Sequence, residues 1–321
     1  MESTTTVVAY SNAAIQFAAT CACIFAVVGT LGNSVTACAI LRKPKLRRHP
    51  ISAFVLSLCF SDLLFCSIVL PLSASRYICK AWIFGDALCK LFAVITYSTV
   101  AISLLSLIGI LLNRFSLFRC YKYYTSLYSR WSVVVQLLII WVSSISFMLP
   151  PLLGVWGELG LKESTFSCTI LKKDGESIKP LLFVCGFFLP CIFIIFCYLS
   201  IYCVVRRKDH KFDRDDDFKK SSESCCGRGD ARFTSMITIV FASFLICFLP
   251  LTITNVIDED ERYPWITILT SVLAWASRVA NPFIYAATNK VYRKAYRQLL
   301  ATCHLVGPLL PRKGRNESSA V

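Results

Sequence analysis

Two ionisable side chains, Asp62 and Arg278, lie inside long apolar stretches of the sequence, where a charge is costly to bury. Two amides, Asn33 and Asn281, lie in similar surroundings. A carboxylate, a guanidinium and amides in an apolar setting have the chemistry of a buried ion pair or of a polar, hydrated seam between helices. All three histidines fall outside these stretches. We therefore expect no metal centre, no cofactor and no catalytic residue.

The composition predicts the elements that position these residues. The chain has 321 residues, of which 56% are hydrophobic and only 17% charged, and its mean hydropathy is +0.61. Soluble domains carry about 25% charged residues. The apolar residues form runs that each reach the ~20 residues an α-helix needs to cross hydrocarbon. The runs are Ala13–Leu41, Ile51–Ser75, Ala87–Leu112, Val133–Leu153, Leu181–Val205, Thr234–Ile257 and Trp265–Thr288. We predict an all-α membrane protein, a seven-transmembrane helix bundle.

The basic residues that give the chain its net charge of +15 are distributed as the topology of such a bundle predicts. Of the 34 Lys and Arg residues, 25 lie after the first, third, fifth and seventh runs, and eight lie on the other side. The positive-inside rule then places the N-terminus outside and the C-terminus in the cytoplasm. We expect the plasma membrane as the location. Basic residues near anionic inner-leaflet lipids need no nucleic acid to explain them. A basic n-region is absent, so we expect no cleaved signal peptide.

One motif per run makes the chain resemble the rhodopsin-like G-protein-coupled receptors. In the third run, Cys89 precedes Arg114 by 25 residues, a spacing typical of this family. The other matches are Gly32-Asn33, Leu58 to Asp62, Trp141, Pro190 with Tyr198, Cys247 to Pro250, and Asn281 to Tyr285. The resemblance implies an extracellular N-terminus (1–12), a receptor domain (13–288), a short amphipathic eighth helix (289–303) and a disordered cytoplasmic tail (304–321).

The resemblance also assigns roles to residues at the two ends of the bundle. It implies a disulfide between Cys89 and Cys168 on the outer side. It places contact with a heterotrimeric G protein at Arg114 and Tyr198, with arrestin as a second cytoplasmic partner. Asn281, Pro282 and Tyr285 are implied in the activation switch. Cys303 is a predicted palmitoylation site on a helix that contacts membrane lipids, and an inert thiol is the alternative. The terminal Ser318–Val321 is a candidate PDZ ligand.

Five residues depart from the family pattern, and Arg278 is one of them. Asn113 replaces the acid that usually precedes Arg114, and Asp230 lies where the family often places an acid facing that arginine. We predict a resting Arg114–Asp230 pair, with an ordinary exposed aspartate as the alternative. Phe248 replaces the usual tryptophan. The remaining two departures are Thr96, where amine receptors carry aspartate, and Trp275, where opsins carry the retinal-binding lysine.

The resemblance places the polar core of the bundle at Asn33, Asp62, Ser103 and Asn281, where many family members bind sodium. Arg278 lies four residues before Pro282, about one helical turn from this cluster. We hypothesise that Arg278 and Asp62 form an internal ion pair and that sodium modulation is lost. The alternative is an arginine bonded to backbone carbonyls elsewhere.

The outer half of the bundle is predicted to hold the ligand in an apolar pocket. By family position its lining is Thr96, Tyr97, Val100, Phe248, Leu251, Thr252, Asn255, Ser271 and Trp275. None of these side chains carries a charge, which favours a lipid-like or otherwise apolar extracellular ligand over an amine. Arg76 is a candidate for holding a carboxylate or phosphate head, with an exposed loop arginine as the alternative. The acidic run Asp258–Glu261 leaves a basic peptide open as the ligand.

Within the family, the Asn113-Arg114 pair, the run Trp82–Gly85 and the seventh-run motif resemble two groups. One is the insect trapped-in-endoderm and moody group, which we favour, and the other is the melatonin-type receptors. The first group implies a role in guided cell migration or barrier formation. A transporter or channel with a midplane polar site is the alternative class, but it predicts internal repeats that the seven runs lack.

Overall fold

The computed structural model describes residues 10–119, 121–173, 181, 184–197, 199–200, 228–257 and 263–305. The helices in the first half of the chain are α1 (Asn12–Arg42), α2 (Pro44–Arg47), α3 (Pro50–Leu64), α4 (Leu70–Cys79), α5 (Gly85–Arg119), α6 (Tyr121–Leu127), α7 (Arg130–Ser146) and α8 (Leu149–Leu152). Those in the second half are α9 (Arg228–Ile257), α10 (Pro264–Thr288) and α11 (Lys290–Leu305). Residues 189–197 are also helical.

Local sequence signals set several of these helix ends. The Ser11 side chain accepts a hydrogen bond from the backbone N–H of Ala14, which caps the start of α1. Ser129 caps α7 in the same way. Prolines occupy the first turns of α3 and α10, where a missing N–H costs nothing. Lys80 ends α4 in a left-handed conformation with φ of 52°.

Five helical segments of the described residues are long and apolar enough to cross a membrane. They are Asn12–Arg42, Pro50–Cys79, Gly85–Leu117, Arg130–Leu152 and Ser235–Ile257. The fifth predicted run is only partly described. Helix α10 spans 25 residues but is not one of the five, because Arg278 and Asn281 lower its mean hydropathy. The predicted run boundaries agree closely with these helices, although α5 continues past Leu112 to Arg119.

The second membrane helix is interrupted by a π-helical turn, Phe65–Val69, between α3 and α4. Pro71 lies two residues after the end of this turn. Proline cannot donate the helical hydrogen bond and its ring crowds the carbonyl four residues earlier, so the helix widens at this point. The wider turn directs both Phe65 and Val69 into the cavity described below.

The chain between α8 and the fifth membrane segment contains a two-stranded antiparallel hairpin that no sequence pattern predicted. Strand β1 is Glu158–Lys162 and strand β2 is Ser167–Leu171, with Gly160 opposite Thr169 in the register. The turn between the strands is a short 3₁₀ segment. The predicted all-α bundle is therefore correct for the membrane helices, with this small sheet added at one end.

Close helix packing surrounds α5, which runs through the centre of the bundle. A Cβ added at Gly109 would lie 2.5 Å from the Phe54 ring, so only glycine lets α3 and α5 approach this closely. Large apolar side chains on the outer face of α7 are exposed instead, with Leu138, Ile139 and Val142 each about 60% exposed. Such a face suits contact with lipid rather than with water.

Candidate functional site: a cavity above a buried ion pair

A cavity of about 240 Å³ opens among α4, α5, α9, α10 and the hairpin. We call the end of the bundle that holds it the disulfide end, because the Cys89–Cys168 bond lies there. All of the residues predicted to line the pocket do line it. They are Thr96, Tyr97, Val100, Phe248, Leu251, Thr252, Asn255, Ser271 and Trp275.

The hairpin forms one wall of this cavity and is tied to the bundle by three contacts. The predicted disulfide is confirmed, and it joins Cys89 on α5 to Cys168 on β2, with Cα atoms 5.2 Å apart. The hydroxyls of Tyr97 and Thr169 are hydrogen-bonded at 2.7 Å. Arg76 on α4 donates from Nη1 to the Thr165 carbonyl at 2.8 Å. These contacts hold polar atoms of the hairpin against the cavity.

The view of Arg76 as an exposed loop residue is wrong, because the structure buries it. Arg76 belongs to α4, is only 7% exposed and lines the cavity. The π-helical turn and the close hairpin enclose it, which a hydropathy pattern does not reveal.

Below the cavity, Arg278 and Asp62 form an ion pair, with Arg278 Nη1 2.8 Å from Asp62 Oδ1. The residues are 1% and 0% exposed. The same guanidinium nitrogen donates to Ser103 Oγ and to the backbone carbonyl of Thr99. Of the two hypotheses for Arg278, the internal pair is therefore the one present, with a backbone carbonyl as a further acceptor. The positive group lies where the resemblance would place a sodium ion.

Amides and hydroxyls complete this polar core. Asn281 Nδ2 donates to the second oxygen of Asp62 at 2.8 Å. Asn33 Nδ2 donates to the backbone carbonyl of Arg278 at 3.1 Å, so the first and seventh membrane helices meet at this point. Ser61 and Ser103 are hydrogen-bonded to each other at 2.8 Å. Both carboxylate oxygens of Asp62 are thus satisfied, as a buried charge requires.

Aromatic rings connect the cavity to the polar core. The guanidinium carbon of Arg278 lies 5.3 Å from the ring centres of both Phe65 and Phe248. Phe248 also stacks on Phe244, with ring centroids 4.5 Å apart. Because Phe65 and Phe248 line the cavity, a ligand there would contact the rings that pack on the buried cation.

At the opposite end, α5 buries Asn113 and Arg114, which are 0% and 1% exposed. Asp230, the predicted partner of Arg114, and Tyr198, the second predicted G-protein contact, are described less fully. Asp230 belongs to α9, but its side chain lies outside the described residues, as does all of Tyr198. The Arg114–Asp230 pair therefore stays a prediction.

A row of tyrosines joins the seventh membrane helix to α11. Tyr285, 1% exposed, packs on Tyr292 with ring centroids 5.4 Å apart, and Tyr292 packs on Tyr296 at 6.3 Å. The Tyr296 hydroxyl is hydrogen-bonded to Thr36 of α1 at 2.8 Å. Burial raises the pKa of the Tyr296 phenol, so that it stays protonated. The tyrosine spacing on α11 was visible in the sequence, but the contact with Thr36 was not.

Of the other residues that were assigned a role from the sequence, some are described by the structure and others lie outside the described residues. Pro282 and Asn281 lie buried in α10, and Gly32 of α1 packs closely on Pro282. Cys303 belongs to α11, although its side chain is outside the described residues. The tail 306–321 and the acidic run 258–261 also fall outside them. In the described part of the chain, no group of His, Cys, Asp and Glu is suited to a metal ion.

A helical bundle with a disulfide-closed cavity above a buried polar core defines a membrane receptor of the seven-helix class. The sequence matches the family model "7 transmembrane receptor (rhodopsin family)" over residues 32–285, and the chain belongs to this family. The fold agrees with the crystal structure of squid rhodopsin at a TM-score of 0.80, with 20% identity, covering 94% of this chain and 90% of that one.

The chain is 47% identical to Protein trapped in endoderm-1 of Drosophila melanogaster over 96% of its own length and 83% of that protein. It is 30% identical to the G-protein coupled receptor moody of Drosophila melanogaster over 97% of its length, which is 55% of that receptor. The human melatonin receptor type 1B is more distant, at 26% identity over 85% of this chain and 75% of the receptor. The favoured resemblance is confirmed.

Proposed function

We propose that this receptor binds an apolar or lipid-like extracellular ligand in the cavity and transmits its binding to a heterotrimeric G protein through the polar core. The observation that carries the proposal is the position of Phe248. Its ring lines the cavity and lies 5.3 Å from the guanidinium of Arg278. A ligand that moves this ring perturbs the buried ion pair of Arg278 and Asp62.

The character of the cavity supports an apolar ligand. Its lining is dominated by aromatic and aliphatic side chains, with hydroxyl groups from serine and threonine. Among the described lining residues there is no aspartate or glutamate to pair with an amine. Thr96 hydrogen-bonds to the backbone carbonyl of Phe92 in its own helix. A basic peptide is the less favoured ligand, because the described lining residues include no carboxylate that would attract it.

The distribution of charge supports an orientation with the disulfide end outside the cell. The Lys and Arg residues are concentrated in the segments at the other end. Disulfides persist in the oxidising extracellular space, which agrees with that orientation. We propose the plasma membrane as the location and an extracellular N-terminus.

The cytoplasmic end supplies the surface for partners in this proposal. Arg114 and Tyr198 would engage the G protein, with Tyr285 as the switch residue and arrestin as a second partner. Helix α11 follows α10 after one residue and places basic and aromatic side chains where an interfacial helix would meet lipid. Palmitoylation of Cys303 would strengthen that attachment. Ser318–Val321 would dock to a PDZ domain.

The physiological part of the proposal is guided cell migration or barrier formation. It is supported by similarity to Protein trapped in endoderm-1 and to moody. The ligand itself is not named by either relative.

The proposal is tested by G-protein dissociation assays in cells that express the wild type or Arg114→Ala. We expect the wild type to give a basal signal over untransfected cells and Arg114→Ala to lose it. Arg130→Ala is the matched control, because Arg130 is exposed at the start of α7 near the same end. An N-terminal epitope tag read on intact cells normalises surface expression and tests the orientation. If no G protein responds, or if the tag is detected only after permeabilisation, the proposal is wrong.

A further inference from the structure

Arg76 is a buried cation that lines the cavity. It is 7% exposed and lies on the last turns of α4, next to the hairpin. Among the described residues that line the cavity, it is the one charged side chain. The polar core pairs Arg278 with Asp62, whereas the described residues that line the cavity include a cation and no anion.

The contacts of Arg76 leave its positive charge without a counter-ion in the described part of the chain. Nη1 donates to the Thr165 carbonyl at 2.8 Å, and Nη2 donates to the Tyr77 hydroxyl at 3.1 Å. The guanidinium carbon lies 4.4 Å from the centre of the Tyr77 ring. All of these partners are neutral, and Nε has no hydrogen-bond partner among the described residues. Burying a charge without an opposite charge is costly, so an anion that enters the cavity gains a partner already desolvated and oriented.

We infer that Arg76 anchors an anionic head group, and that the ligand is an amphiphile with a phosphate or carboxylate at one end and an apolar tail. Guanidinium groups bind both oxyanions through charge-assisted hydrogen bonds. The tail would lie against the aromatic floor of the cavity, which includes Phe248 and Trp275. This inference rests on the proposed function, since it assigns the ligand class for the same cavity.

A purely structural role is the competing explanation. Arg76 links α4 to the hairpin through Thr165, and a residue that only holds this wall would affect stability without preferring one ligand charge. The two explanations therefore differ in how binding depends on the charge of the head group.

The experiment measures ligand-induced thermal stabilisation and apparent Kd for the full chain in phosphatidylcholine nanodiscs. The probes share one alkyl chain and differ in the head group: dodecyl phosphate, dodecanoate, dodecanol and dodecyltrimethylammonium. Inorganic phosphate alone is the fifth arm. We expect the two anionic amphiphiles to raise the melting temperature of the wild type. The neutral and cationic amphiphiles should do so far less, and inorganic phosphate should not. Equal effects of dodecanol and dodecyl phosphate overturn the inference, and an equal effect of inorganic phosphate overturns the amphiphile assignment.

Substitutions of Arg76 test whether this residue binds the head group. Arg76→Gln keeps a donor for the Thr165 carbonyl but removes the charge, and we expect it to weaken binding of dodecyl phosphate about tenfold or more. Lys80→Gln is the matched control, because it removes a positive charge from the exposed end of the same helix, and its binding should equal that of the wild type. If Arg76→Gln lowers stability but keeps the preference for phosphate over alcohol, Arg76 is only structural.

Two further comparisons separate a failure of this inference from misfolding of the variant and from a failure of the proposed function. Should Arg76→Gln fail to fold, Arg76→Lys and the probe series on the wild type decide the question, since the lysine variant should retain the anionic preference. Failure of this inference leaves the basal G-protein signal and its loss in Arg114→Ala intact. Failure of the proposed function would remove that signal, whatever the nanodisc measurements show.

Discussion

The guanidinium of Arg278 lies 5.3 Å from the centre of the Phe248 ring, so the cation of the polar core packs on a wall of the ligand cavity. By the family resemblance, Phe248 stands at a position usually held by tryptophan, and Arg278 pairs with the carboxylate where the same resemblance predicts a sodium ion. Two departures from the family pattern, 30 residues apart in sequence, thus form one contact in the structure. In the proposed function, this contact is the point at which ligand binding would reach the packing of α9 on the ion pair.

The buried pair should behave as a unit in a double-mutant cycle. Asp62→Leu leaves an uncompensated buried guanidinium, and Arg278→Met leaves an uncompensated carboxylate. We expect each to lower stability by about 3–5 kcal/mol. The double variant should recover most of that loss, because no unpaired charge remains. Thermal unfolding in nanodiscs checks this, and costs that simply add would show that the two charges act independently.

Sodium should have no specific effect on the wild type. Arg278 already places a positive charge 2.8 Å from Asp62, and a second cation would be repelled. We expect the same melting temperature in sodium chloride and in choline chloride at equal ionic strength. Arg278→Ser should gain a stabilising response to sodium, and Arg278→Ser combined with Asp62→Asn should lose it. A sodium response in the wild type would contradict the ion-pair model.

Truncation of the ring that packs on Arg278 should raise basal signalling. Phe248→Ala removes a contact between the cavity wall and the polar core, which weakens the resting packing of α9 on the ion pair. We expect a several-fold rise in ligand-independent G-protein dissociation. Phe60→Ala is the control, since Phe60 is 44% exposed on the surface of the bundle and should leave the signal unchanged. Equal effects of both substitutions would show that the change is not specific to this contact.

Charge reversal at Asp230 should also raise basal signalling if this acid holds Arg114 in the resting state. Asp230→Arg would place like charges together and release the buried Arg114 side chain toward the G protein. Asp86→Arg is the control, because Asp86 forms an exposed pair with Lys90 at the disulfide end, 3.2 Å apart. Both variants are compared in the dissociation assay at matched surface expression. An unchanged signal from Asp230→Arg would eliminate the predicted pair.

The sequence alone determined the membrane architecture, because burial in lipid imposes long apolar runs that composition displays directly. The resemblance of its motifs to a known family also located the disulfide and the predicted cavity residues. The hairpin was missed because β1 and β2 are short, and a five-residue strand carries little periodicity.

Tertiary structure alone decided how the charged residues are used. Asp62 and Arg278 are 216 residues apart, and nothing local distinguishes an arginine paired with Asp62 from one bonded to backbone carbonyls. Arg76 lies near the end of an apolar run, where the sequence allows either exposure or burial. The hairpin encloses it through the bond to the Thr165 carbonyl, a contact between parts of the chain 89 residues apart. Which charged groups pair depends on their distance in space, whereas the hydrophobic pattern depends on position along the chain.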